Sequence, residues 1–108
     1  MKNWYKLRAT GEAAFAKHDY VAARKSFEEA LKIAAPIKNE PARLAITLEE
    51  LSKVCLETSN LSLATSIFDQ ALTLANKRSQ TSSKQLDVIE SELGQCLINV
   101  AKVFAKEK

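Results

Sequence analysis

The sequence predicts an all-α protein of five helices, and three observations carry that expectation. The 108 residues include only two Gly and two Pro among abundant Ala, Leu, Lys and Glu, a composition of good helix formers. Apolar residues recur at intervals of three and four, which places them on one face of a helix. The stretch YVAARKSFEEALKIAA, residues 20–35, returns 41 residues later as LSLATSIFDQALTLAN. Ala64, Phe68, Ala71 and Leu72 then stand in place of Ala23, Phe27, Ala30 and Leu31. A helical pair cannot bury its whole apolar face alone, so repeated pairs are expected to stack within one domain, 1–108.

The first helix is expected from about Asn3 to Lys17, with Trp4, Leu7, Thr10, Gly11 and Ala14 facing the second. Gly11 costs roughly 1 kcal/mol of helix propensity against Ala, which close approach of the helix carrying Phe27 would explain better than a hinge. His18 belongs to the corner before Asp19, where a left-handed or bridging conformation is needed. It is the only His and has no partners for metal binding or catalysis. Asp19 caps the second helix, which closes at Ala35-Pro36 because Pro disfavours helical geometry in the residue before it. Ile37 to Glu40 form a loop, and Asn39-Glu40-Pro41 read as a cap followed by an early proline.

The third helix should bury Leu44, Leu48, Leu51, Val54 and Cys55 and end near Glu57. Thr58-Ser59-Asn60 repeat the corner, with Asn60 as cap, and the fourth helix runs to about Lys77. Arg78 to Ser83 form a polar linker, in which Ser82 and Gln85 resemble a capping box. The fifth helix, to about Ala105, carries the stripe Leu86, Ile89, Leu93, Leu97, Val100 and Phe104. Its Leu93-Gly94 with Leu97 echoes Thr10-Gly11 with Ala14, and Leu51-Ser52 with Cys55. The units are therefore repeat one (3–36), repeat two (40–78) and a capping C-terminal helix (82–106).

Function classes narrow by exclusion. The net charge of +3 is spread along the chain, with no basic tail to follow a phosphate backbone, so nucleic acid is not an expected partner. No run approaches the ~18 apolar residues of a membrane span, and the start MKNWYKLR lacks a signal-peptide core, so a soluble cytoplasmic protein without membrane contact is expected. There is no glycine-rich phosphate loop, no paired His, and no nucleophile beside a His and an acid, so no enzyme, cofactor or metal is expected. Cys55 and Cys96 fall at near-equivalent places on the third and fifth helices. Helix axes stand about 8–10 Å apart, beyond the ~7 Å Cα separation a disulfide allows, so buried thiols are the expectation.

On these residues the chain resembles the tetratricopeptide-repeat family. Its pattern matches Leu7, Gly11, Ala14, Tyr20, Ala23, Phe27, Ala30 and, one residue late, Pro36. The second unit matches less well, through Leu48, Leu51, Cys55, Leu61, Ala64, Phe68 and Ala71, and the third only through Leu93, Gly94 and Leu97. The spacing of 41 to 42 residues is similar to the kinesin light-chain type. The resemblance implies a short right-handed superhelix of antiparallel hairpins acting in protein–protein interaction, as an adaptor, scaffold or assembly factor.

In that family the first helix of each pair lines a concave groove for an extended or helical peptide. Carried over, the lining would be Tyr5, Arg8, Glu12 and Phe15, then Ile46, Glu49, Glu50, Lys53 and Glu57, then Val88, Ser91, Glu92 and Gln95. Arg8 and Lys53 are the only basic members, and Asp87 lies at the rim. The Lys, Arg and Asn set by which chaperone-binding members clamp a C-terminal carboxylate is missing, with Glu12 and Glu50 where Asn would serve. Such a groove should prefer a basic or mixed-charge protein segment, with Tyr5 and Phe15 as apolar anchors; the bland alternative is a solvated helix face. Trp4 and Tyr5 at one end, and Val88, Ile98 or Val103 at the other, are candidates for exposed apolar edges. A homodimer or a docked partner would cover them, unless the fifth helix is cap enough.

Overall fold

The computed structural model describes residues 3–36, 40–77 and 83–106. Five helices account for nearly all of them: α1 (Trp4–Ala16), α2 (Tyr20–Ala34), α3 (Pro41–Thr58), α4 (Leu61–Asn76) and α5 (Ser83–Lys106). No strand occurs among the described residues. None of their helices is long and apolar enough to cross a membrane.

Local chemistry explains the boundaries. Asn3, Asp19 and Asn60 each accept a hydrogen bond from the backbone N–H three residues on, at 2.8, 3.2 and 3.0 Å. Both hairpin corners turn on one left-handed residue, His18 at φ 63° and Ser59 at φ 51°, so the corner repeats in conformation as well as in sequence. α3 begins differently. Glu40 makes no side-chain cap, Pro41 opens the helix, and the Ala42 N–H is taken instead by Gln85 of α5 at 3.0 Å. The expected Asn39 cap, Ser82 of the capping box and most of both loops lie outside the described residues.

α1, α3 and α5 run parallel, as their cross-links show. The Trp4 indole N–H donates to Thr47 Oγ1 at 2.8 Å and Arg8 pairs with Glu50, so α1 and α3 advance together. Asn99 Nδ2 donates to Ser52 Oγ at 3.0 Å and Lys106 Nζ to the Leu56 carbonyl at 3.4 Å, so α3 and α5 do the same. α2 and α4 run back behind them. The extents of 39 × 35 × 18 Å suit two layers of helices.

α3 is the centre of this arrangement, in contact with α2, α4 and most extensively α5. From Ala45 to Cys55 only Lys53 is exposed. The core joins Phe27, Leu48, Leu51, Val54, Ile67, Ile89, Val100 and Val103, while Trp4, Ala30 and Ala34 close a smaller cluster between α1 and α2. Gly11 meets the close approach expected of it: a Cβ there would lie 2.5 Å from the Phe27 ring.

Five side-chain assignments are corrected. Trp4, expected at an exposed edge, is 4 % exposed because its N–H finds Thr47 and its ring lies between Arg8 and Arg43. Thr10, expected to face α2, is exposed and bonds back to the Lys6 carbonyl. Val103 is buried in the core, while Phe104 of the expected stripe is 36 % exposed. α5 turns Cys96, Asn99 and Val103 towards its neighbours, and this shifts its buried stripe by one position. Phe68 is 37 % exposed, and Ile67 takes the buried place that Phe27 holds in α2. The site equivalent to Gly11 is Ser52, whose hydroxyl is bonded to Asn99, so no ring seats there. Phe68 packs edge-on against Phe104 instead, with centroids 6.4 Å apart.

Candidate partner-binding face

The parallel helices α1, α3 and α5 bring most of the expected groove residues to one side. Arg8 is the hinge pin of that face. Its Nε lies 2.5 Å from Glu50 Oε1 and its Nη2 lies 3.1 Å from Oε2, a bidentate pair between α1 and α3. The same Nη2 reaches Glu12 Oε1 at 3.0 Å, one turn along α1. Lys53 Nζ pairs with Glu49 Oε1 at 3.2 Å. Glu92 of α5 interacts through space with Glu49, Lys53 and Arg8. Four carboxylates thus face two cations.

Burial divides these groups. Glu12 and Lys53 are exposed and Glu92 half-buried, whereas Glu49 and Glu50 are 7 % and 6 % exposed. The expectation that Glu49 and Glu50 line an open groove is therefore corrected: both are buried on α3, where Arg8 of α1 and the helix α5 shield them from water. Burial pushes the Glu50 carboxyl up to about 7; the Arg8 hydrogen bond opposes that rise and Glu12 adds to it. The Arg8 guanidinium is raised by its hydrogen bond to Glu50. Burial, then Glu49, raises Glu92. Glu49 Oε2 is buried and has no hydrogen-bond partner among the described residues. An unpaired buried carboxylate oxygen is costly and calls for a donor.

Two cavities flank this cluster. A small one of about 80 Å³ is lined by Glu12, Phe15, Phe27, Glu50 and Lys53. The Phe15 ring at its edge is held edge-on by Tyr20, with centroids 5.3 Å apart. A shallower one of about 360 Å³ joins Tyr5, Arg8 and Ile46 with Trp4, Arg43 and Gln85. On α5, Val88, Ser91 and Gln95 are exposed, and Gln95 Nε2 donates to Asn99 Oδ1 at 3.1 Å. Glu57 is exposed at the end of α3, beyond both cavities.

Sequence reasoning placed Trp4 against α2 but missed Arg43 and the bond from Trp4 to Thr47. Arg43 stacks on Trp4 and Tyr5, its guanidinium carbon 5.1 and 5.0 Å from their centroids, and donates to the Tyr5 hydroxyl at 3.1 Å. It also pairs with Glu40 at 2.9 Å. The one signal in the sequence was Arg43 standing a turn before Thr47, the partner of Trp4. Among the described residues no group of three His, Cys, Asp or Glu is placed to hold a metal ion. Comparison with known proteins finds no matching family model, no matching curated protein and no matching solved structure.

Proposed function

We propose that this chain is a non-enzymatic, tetratricopeptide-like interaction module of the cytoplasm that takes a basic or mixed-charge protein segment across α1, α3 and α5. One observation carries the reading: the unpaired, buried Glu49 Oε2 lies within a cluster where carboxylates outnumber cations. An incoming Arg that displaces Lys53 could donate to both Glu49 oxygens, and Phe15 and Tyr5 offer apolar surface on either side. The repeat of the hairpin corner and the parallel run of α1, α3 and α5 support the resemblance on which the groove was assigned.

The runner-up reading, self-association through the terminal helices, keeps Ile98 at 50 % exposure on α5 but loses Trp4, which is closed into the fold. The deciding experiment titrates fluorescent peptides of equal length, basic, neutral and acidic, against the full chain at two salt concentrations. Tightest binding by the basic peptide, weakened by salt and by the pair Glu12→Gln and Glu92→Gln, is the expected result. Equal binding of the acidic peptide would overturn it.

A further inference from the structure

The outer face of α5 carries the register by which α1 holds α2, and it stands uncovered among the described residues. In the first pair Phe27 lies over Gly11, and Trp4 and Leu7 cluster with Ala30 and Ala34. Gly94 is the counterpart of Gly11, and around a Cβ added to it no atom lies within 4 Å. A cavity of about 370 Å³ opens beside it, walled by Ala75 of α4 and by Leu93, Leu97 and Glu90 of α5. The face continues past Gly94 through exposed Ile98 and Ala101.

The counterparts of Leu7 and Trp4 on α5 are Glu90 and Asp87, both exposed. A helix seated as α2 is seated would therefore meet apolar surface under its aromatic residue and carboxylates under its last turns. Cations there would complement both the carboxylates and that helix's own dipole. We infer that this face docks an amphipathic helix of a protein partner, antiparallel to α5, with an aromatic ring on Gly94. Lys or Arg three and seven residues after the ring pair with Glu90 and Asp87, as Ala30 and Ala34 follow Phe27. A second copy is a poor occupant, because no aromatic residue in this sequence is followed by basic residues at both positions. This surface adjoins the α1–α3–α5 groove at Asp87 but is centred on Gly94, and it stands without the groove.

The probe is a labelled synthetic peptide of residues 19–36 carrying Ala30→Lys and Ala34→Arg, which the apolar Trp4 and Leu7 exclude from the α2 position. Anisotropy titration against the full chain is expected to give saturable binding. Gly94→Phe, which fills open space and leaves the helical circular dichroism intact, weakens it on the order of tenfold or more. Phe27→Ala in the peptide does the same, and Glu90→Gln with Asp87→Asn in the protein removes the salt dependence. The titrations use the Glu12→Gln, Glu92→Gln background, which removes the groove as a competing site for this mixed-charge peptide. Equal affinity for Gly94→Phe in that background overturns the inference. So does a dimer abolished by Gly94→Phe in a protein that ignores the peptide, since the occupant is then a second copy.

Discussion

Glu50 illustrates how one side chain can be held and strained by the same burial. Arg8 grips both of its oxygens, yet loss of water pushes its carboxyl from 4.5 up to about 7, so the neutral form is the one folding favours. With the folded value above the unfolded one, its contribution is fully present below about pH 4.5 and is lost as pH rises through about 7. The loss over that window is on the order of 3 kcal/mol. Urea midpoints measured from pH 4.5 to 8 should therefore fall, and Glu50→Gln should flatten that fall. A rise over the same window would mean that Arg8 dominates.

At the scale of the element, the two glycines separate packing from propensity. Both sit mid-helix, but Gly11 lies against Phe27 and Gly94 faces open space. Gly11→Ala gains about 1 kcal/mol of propensity but forces a methyl into a buried ring, so a net loss of about 1–2 kcal/mol is expected. Gly94→Ala should instead stabilise by up to about 1 kcal/mol. Chemical denaturation of the two variants decides it, and effects of the same sign would contradict the packing described. The helices α3 and α5 are tied differently, through Ser52, Asn99 and Gln95, a polar link that fixes their register where apolar contacts alone would slide.

For the molecule as a whole, the central place of α3 leads us to expect that it folds in a single event. It has neighbours on all sides, so no hairpin can leave without exposing its core. The two thiols report this. Cys55 and Cys96 are free and buried; burial raises the first and pushes the second up to about 12, which keeps both from reacting as thiolates. Thiol labelling through a urea series should follow the same midpoint as helical circular dichroism. Labelling of Cys96 ahead of that midpoint would show that α5 opens by itself.

Helix number, helix ends and the position of both corners were legible because they depend on neighbours in sequence: caps such as Asp19 and Asn60, the break at Pro36, and spacing by three and four. The Gly11–Phe27 contact was legible too, since propensity disfavours a glycine at mid-helix and the bulk of a facing aromatic ring requires one. What one helix meets across a gap has no local signature. The burial of Trp4 depends on Thr47 and Arg43 arriving from α3, and the rotation of Phe68 depends on Asn99 having claimed Ser52. Glu49 and Glu50 read as groove lining, with a solvated face as the alternative, because a helical pattern shows only which residues share a side. Only Arg8 of α1 and the helix α5, set against α3, decided how much water that side keeps.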